Sequence, residues 1–172
     1  MSGFRYALTI AMLAGMAYGQ GQNLSPRMTT SITLDGKKIT IGYGAPSMRG
    51  RKIMGALVPF GEVWCTGAND ATSFDTEADL DINGMKVPTG SYTLWALPNS
   101  EEWKLIINKE TGQWHTEYRQ RYDFGRIKMN LRVLATPVER FKILLSPAGN
   151  DRATLALQWE TTEASVPVMV VR

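Results

Sequence analysis

Residues 43–74 contain the side chains best suited to binding a small polar molecule. The segment combines an indole, hydroxyl and amide groups, a guanidinium and a carboxylate in a stretch with little helical or strand periodicity. An indole offers a large flat apolar surface with one donor, and short polar side chains offer directional hydrogen bonds. Such a set suits a sugar, a peptide end or another small polar compound lodged in a pocket. The candidate ligand-binding residues are Arg51, Glu62, Trp64, Thr66, Asn69 and Thr72.

A purely architectural interpretation of the same segment stays open. Loops held by a scaffold often carry function, which favours a binding loop. However, Asn and Thr side chains in irregular loops also bond to neighbouring backbone groups, and Trp64 is large enough to anchor a core. The sequence therefore does not decide whether residues 43–74 form a binding loop or a structural clasp.

His115 is the only histidine in the chain, which restricts the catalytic chemistry that is possible. A structural zinc site needs about four Cys or His ligands, whereas the chain has one Cys and one His. We therefore expect no metal and no cofactor. The sequence also lacks a G-x-S-x-G element, so no serine is marked as a nucleophile. The remaining enzymatic hypothesis is a non-metal hydrolase or lyase that pairs His115 with Glu117 or Glu62 close to residues 43–74.

Cys65 is the only cysteine and cannot form a disulfide within the chain. It is therefore either a free reactive thiol or a buried side chain next to Trp64. Free cysteine is among the most buried residue types, so we predict that Cys65 is buried.

Short alternating segments separated by turn residues predict the scaffold that positions these residues. Asp35-Gly36 and Asn83-Gly84 each separate two alternating runs, which is typical of β-hairpins. We predict an all-β fold, a single antiparallel β-sandwich of about ten short strands with Greek-key or jelly-roll-like connections. The predicted strands are residues 31–34, 38–43, 78–82, 85–87, 91–97, 103–107, 126–133, 141–145, 154–160 and 166–170.

Two segments carry more specific expectations. In residues 113–122, Trp114, Tyr118 and Tyr122 recur at every fourth position, which predicts a short helix packed on the sheet. In residues 126–133, apolar and polar side chains alternate, which predicts one face in the core and one in solvent. The apolar members of that alternation are Ile127, Met129, Leu131 and Val133.

Residues 1–19 have the pattern of a cleaved secretory signal. Arg5 precedes an apolar run, and small residues follow it at Ala17 and Gly19, as a signal peptidase requires. The run is shorter than the roughly 20 residues that cross a bilayer. We predict cleavage after Gly19, a single domain over residues 20–172 with no membrane span, and a secreted or periplasmic location. The formal charge of +3 is too small to indicate nucleic-acid binding.

Motifs spread over most of residues 20–172 indicate a family. They are Tyr43, Pro46, Gly50-Arg51, Leu57-Val58-Pro59-Phe60-Gly61, Trp64, Thr66-Gly67-Ala68-Asn69, Ala71-Thr72, Pro88, Gly90-Ser91-Tyr92-Thr93-Leu94, Leu97-Pro98, Trp103 and Ile107-Asn108. In these motifs the chain resembles the secreted bacterial family known as domain of unknown function 2911. The resemblance implies an exported β-rich domain without an established activity. The family pattern has arginine where this chain has Cys65, so the resemblance assigns Cys65 no role.

Three functions are consistent with these observations. We expect an exported module that binds a small ligand, such as a sugar, a peptide or another polar compound. The alternatives are a structural or interaction domain of the cell envelope and the hydrolase or lyase based on His115. The oligomeric state is open.

Overall fold

The computed structural model describes residues 24–171, which form one antiparallel sheet of nine strands that does not close into a barrel. The strands are β1 (Arg27–Leu34), β2 (Lys37–Gly44), β3 (Thr72–Thr76), β4 (Leu80–Ile82), β5 (Met85–Val87), β6 (Gly90–Leu97), β7 (Trp103–Asn108), β8 (Asp123–Pro147) and β9 (Arg152–Val170). Their order across the sheet is β1-β2-β3-β6-β7-β8-β9-β4-β5. The predicted all-β, antiparallel fold class is confirmed. The predicted signal peptide, residues 1–19, lies outside the described residues.

Strands β8 and β9 form a long hairpin that bends in the middle. Residues 130–133 pair with residues 162–165, and residues 142–147 pair with residues 153–158, with register shifts between the two regular stretches. At the bend Glu160 adopts a positive φ of 54°. Bulges of this kind bend a strand and increase its local twist. Residues 141–159, which we call the distal part of the hairpin, can therefore run in a different direction while β8 and β9 remain paired.

The bend folds the sheet back around a shared core. The backbone N–H of Asp35, in the β1–β2 turn, donates to the carbonyl of Asn150, in the β8–β9 turn, at 3.0 Å. Apolar side chains of the distal hairpin and of the strands that precede it are buried together in one large cluster. Its largest fully buried members include Phe74, Phe141, Trp159, Ile39, Ile41, Leu94 and Leu105. The β1–β2 turn and the β8–β9 turn therefore meet, and the two parts of the folded sheet enclose the common core.

Four of the ten predicted strands merge into two because the chain bends without leaving the extended conformation, and the unpredicted β3 brings the total to nine. Predicted strands 126–133 and 141–145 are both parts of β8, and 154–160 and 166–170 are both parts of β9. We expected the chain to turn between the two members of each pair, but it stays extended through the irregular middle of the hairpin.

Strand β3 was not predicted, since its first residues fall within the segment that we expected to be a loop. Its core-facing positions are Thr72, Phe74 and Thr76, all buried. Two of the three are threonine, so the alternation of apolar and polar side chains that marks a half-buried strand is weak.

The helix predicted for residues 113–122 is limited to a single 3-10 turn, Gln120–Tyr122. The preceding residues instead pair with the loop that leads into β3. The backbone N–H of His115 donates to the carbonyl of Asn69 at 3.0 Å, and Asp70 and Trp114 form an isolated β-bridge. This backbone pairing competes with helix formation and leaves Trp114 exposed.

The alternation in residues 126–133 predicts burial in the core correctly only for its first half. Ile127 and Met129 are buried, whereas Leu131 is 37% exposed and Val133 is 82% exposed. The hairpin begins to bend after Val133, and the side chains of Leu131 and Val133 lie beyond the edge of the core.

The segment between β2 and β3, residues 45–71, is irregular but firmly attached; we call it the β2–β3 loop. Trp64 exchanges two backbone hydrogen bonds with Ala96 of β6, both at 2.8 Å. On the other side, the N–H of Met48 donates to the carbonyl of Glu139 in β8, also at 2.8 Å. The loop is thus fixed to two strands. Across residues 24–171, no helix has the length and apolar character needed to cross a bilayer.

Gly44 provides a test of how tightly the β2–β3 loop is attached. A Cβ at Gly44 would overlap the carbonyl of Ala68, which is backbone and cannot rotate away. We expect Gly44→Ala to lower the free energy of unfolding by about 3 kcal/mol, as overpacking does when the backbone must shift. Urea denaturation measures the change.

Gly42→Ala is the matched control on the same strand. A Cβ at Gly42 would meet only the ends of the Arg27 and Ser73 side chains, which can move. Equal losses in the two variants would show that Gly44 and Ala68 are not in close contact.

Candidate functional site

The β2–β3 loop, the start of the described chain and the bent hairpin surround a cavity of about 380 Å3. Most of its lining comes from the loop. The remaining lining residues are Leu24, Ser25, His115 and Trp159, which come from three other parts of the chain. Small-molecule sites typically have volumes of about 300–1,000 Å3, so the cavity lies at the lower end of that range.

A flat aromatic surface forms one wall of the cavity. Trp64 stacks on Trp159 with ring centroids 5.9 Å apart and planes inclined by 22°. Phe141 packs edge-on against Trp64 at 5.0 Å. The indole N–H of Trp159 donates to the carbonyl of Glu139 at 3.2 Å, which fixes the orientation of that ring. The wall is rigid because each ring is held by at least one neighbour.

A tight turn of residues 48–51 brings two arginines to the cavity. The N–H of Arg51 donates to the carbonyl of Met48 at 3.0 Å. Arg49 has a φ of 50° and Gly50 a φ of 71°. Successive positive φ values are typical of a type I′ turn, in which Asn, Asp and Gly are preferred. An arginine in this conformation costs roughly 1–2 kcal/mol.

The carboxylate of Glu139 stabilises this turn through the backbone. Its Oε1 accepts a hydrogen bond from the N–H of Arg49 at 2.9 Å. The carboxylate charge therefore lies against an amide of the turn, and no ion pair links Glu139 to a guanidinium within the described residues.

Among residues 24–171, both guanidinium groups bond only to carbonyl oxygens. Nη2 of Arg49 donates to Leu24 at 2.6 Å. Nε and Nη2 of Arg51 donate to Met48 and Ser47 at 2.9 and 2.8 Å. No Asp or Glu is among the cavity-lining residues that the structure describes. These bonds orient the two exposed side chains, and no carboxylate of the described lining pairs with their positive charge.

The structure brings two of the predicted ligand-binding residues together at this cavity, Arg51 and Trp64. Glu62 is exposed and does not line it. Thr66 and Thr72 are fully buried. The hydroxyl of Thr66 donates to the carbonyl of Leu94 at 2.9 Å, and that of Thr72 donates to the carbonyl of Thr66 at 3.0 Å. These two hydroxyls hold the loop in place, as the architectural interpretation expected.

Asn69 lies beside the cavity and supports two parts of its lining. Its φ is 67°, a conformation that Asn tolerates better than most residues. Its side-chain amide donates to the carbonyl of Ser25 at 3.3 Å. Its own carbonyl accepts from the N–H of His115. Asn69 itself borders a neighbouring polar depression, together with Arg27 and Asp70.

Sequence reasoning did not single out Arg49 or Trp159, which line the cavity with Arg51 and Trp64. Trp159 lies in an alternating strand, where an aromatic residue indicates only a core position. The one available signal for Arg49 was its place before Gly50 in a turn that carries a second arginine.

A sequence model of one protein family matches residues 25–168, and its description is "Protein of unknown function (DUF2911)". The chain belongs to this family. The resemblance indicated by the motifs is therefore confirmed. No curated protein and no solved structure gives a significant match to the chain. The family has no described activity, so the function of this DUF2911 protein has to be argued from the cavity.

His115 lines the cavity next to the β2–β3 loop, which the enzymatic hypothesis required. Its expected carboxylate partners do not accompany it. Glu62 lies outside the lining, and Glu117 is exposed and forms an ion pair with Arg119 at 3.8 Å. Within residues 24–171, no three His, Cys, Asp or Glu side chains are grouped as metal ligands.

Cys65 of the DUF2911 domain is buried beside Trp64, as predicted. Its thiol donates to the carbonyl of Gly67 at 3.2 Å. Burial raises the pKa of the thiol from its ordinary value of 9.0 to about 11. The thiolate is the reactive form of cysteine, so a neutral thiol at this position is a poor nucleophile.

The raised pKa of Cys65 predicts a pH dependence of stability. The unfolded thiol titrates near 9.0 and the folded one near about 11, so unfolding releases a proton between these values. Stability from this group is complete below pH 9 and is lost as pH rises towards 11. We expect a loss of roughly 2 kcal/mol over this interval, measured by urea denaturation at a series of pH values.

Cys65→Ala is the control, because it removes the titrating group. Tyr118, whose pKa burial raises to about 12, contributes equally to both proteins. Parallel stability curves for the two proteins between pH 9 and 11 would contradict the predicted role of Cys65.

Proposed function

We propose that this DUF2911 protein is an exported module that binds a small polar ligand in the cavity next to the β2–β3 loop. The observation that carries the proposal is the composition of the cavity. The indole rings of Trp64 and Trp159 line the cavity together with a small number of polar groups, which include Arg51 and His115. Apolar walls with a few fixed polar groups are characteristic of small-molecule sites.

The attachment of the loop supports binding to a preformed site. Trp64 is bonded to β6 through its backbone, and Met48 is bonded to β8. A ligand would therefore meet a lining that is already ordered. Binding to such a surface avoids most of the entropic cost of ordering side chains and loops.

The two alternatives have less support. A hydrolase based on His115 lacks a carboxylate in the described lining, and Cys65 is held as a neutral thiol. An interaction domain is supported only by the exposed apolar side chains of Phe60, Leu131 and Val133. Nothing in the chain identifies what would cover them.

Export is supported by the sequence of residues 1–19. The test is expression of the full chain in a bacterium, followed by intact-mass measurement of the protein from the periplasm and the medium. We expect a product that begins at Gln20. An unprocessed protein confined to the cytoplasm would contradict export and would leave the binding proposal unaffected.

A thermal-shift screen tests the binding proposal. The purified protein is heated with sugars, peptides, nucleotides and organic acids. A ligand at about 100 times its Kd adds about 2.7 kcal/mol, which for a chain of this size raises the Tm by roughly 5–10 °C. We expect at least one compound class to produce such a shift.

Two leucine variants show whether a shift comes from the cavity. Leu57 lines the cavity and is 46% exposed, so Leu57→Trp should narrow it and reduce the shift. Leu131 has similar exposure but lies elsewhere, so Leu131→Trp should retain the shift. Equal shifts in both variants would place binding outside the cavity, and no shift with any compound would contradict the proposed function.

A further inference from the structure

We propose that the ligand of this cavity is a small organic anion, with its acidic group held by Arg49 and Arg51 and its apolar body against Trp64. This inference rests on the proposed binding function and adds the charge class of the ligand. It is carried by the composition of the lining, which combines two guanidinium groups with apolar and aromatic side chains.

The charge of the lining is unbalanced. Arg49 and Arg51 both line the cavity, and no carboxylate is among its described lining residues. Neither arginine belongs to an ion pair within residues 24–171. Most other arginines of this region do pair with a carboxylate, namely Arg27, Arg119, Arg126, Arg132 and Arg152.

The hydrogen bonds of the two arginines leave donors for a ligand. A guanidinium has five N–H donors. The structure uses Nη2 of Arg49 for Leu24, and Nε and Nη2 of Arg51 for Met48 and Ser47. Carbonyl oxygens orient a guanidinium without cancelling its charge. The remaining donors suit a carboxylate or a phosphate, which guanidinium groups bind in a bidentate manner.

The turn that carries the arginines has a backbone conformation that arginine disfavours. Arg49 keeps a positive φ of 50°, a conformation in which Asn or Gly would be less strained. The hydrogen bond from its N–H to Glu139 offsets part of that strain. Strained backbone that the surroundings hold in place is concentrated at functional sites, and here it presents a cation at the cavity.

The apolar residues of the lining indicate that the anion carries an apolar body. Trp64, Trp159, Leu57 and Val58 line the cavity together with the arginines. An inorganic anion would leave these surfaces in contact with water. A cationic ligand would be repelled by both guanidinium groups, and a neutral sugar would leave their charge without a partner.

Four probes that share a phenylalkyl group and differ in their terminal group test the inference with the purified full-length protein. They are 3-phenylpropionate, 2-phenylethyl phosphate, 3-phenylpropanamide and 3-phenylpropylamine, which present a carboxylate, a phosphate, a neutral amide and a cation. Binding is measured by calorimetry and by the tryptophan indole N–H resonances. We expect at least one anionic probe to bind about tenfold or more tightly than the amide, with the advantage decreasing as salt is added. The amine should bind weakest.

Charge-removal variants locate the anion. Arg49→Gln and Arg51→Gln should each remove most of the advantage of the anion over the amide. Arg121→Gln is the matched control, since Arg121 is exposed in the 3-10 turn and does not line the cavity. Urea denaturation confirms that each variant is folded.

The outcomes separate this inference from the proposed function. A preference for only one of the two anions upholds the inference and identifies the acidic group. Equal binding of anion and amide, or equal losses in Arg51→Gln and Arg121→Gln, would overturn the inference while the binding function stands. A further outcome is that none of the four probes binds while a neutral or cationic compound from the thermal-shift screen raises the Tm of the wild type but not of Leu57→Trp. That result would overturn only the inference. The absence of any binding compound overturns both.

Discussion

The packing of Trp64 between Phe141 and Trp159 is the contact on which the rest of the structure depends. These rings lie 5.0 and 5.9 Å from Trp64 and join the irregular β2–β3 loop to the distal part of the bent hairpin. Aromatic pairs contribute about 0.5–1.5 kcal/mol each beyond the area that they bury. Without this contact the loop would still have its backbone bonds to two strands and its own buried core residues, Ile53 and Val58 among them, but the cavity would lose its rigid aromatic lining.

Thr66 of the β2–β3 loop and Thr72 at the start of β3 maintain the conformation of the loop. Thr66 and Thr72 bond to buried carbonyl groups, and a Cβ at Gly67 would press on the Gly44 carbonyl and the Thr72 hydroxyl. A buried carbonyl without a partner costs free energy, so these side chains satisfy the backbone of a segment that has no regular pairing. Binding loop and structural clasp are therefore compatible: one set of side chains holds the loop, and another lines the cavity.

Local patterns predicted much of the fold, whereas contacts between distant segments could not be predicted. The turn at Asn83-Gly84 forms the expected β4–β5 hairpin, because its preference for positive φ is local. The bend of β8 and β9 depends on how the hairpin meets the β2–β3 loop, which no local pattern records. For the candidate site, residue type alone pointed to Arg51 and Trp64. Trp159 joins them only because the bend brings β9 to the loop.

The charge of the cavity follows from the way in which the turn at residues 48–51 is stabilised. Positive φ at Arg49 directs its N–H to the carboxylate of Glu139, which already anchors Met48 and Trp159 through its carbonyl. The carboxylate of Glu139 keeps its negative charge when it accepts from an amide. It lies where it stabilises the turn, and within residues 24–171 it forms no ion pair with the guanidinium groups. Glu139 thus contributes to the shape of the site, while the arginines keep donors and charge for the ligand that we propose. In this arrangement the strain of the turn and the proposed anion preference of the cavity have a common origin.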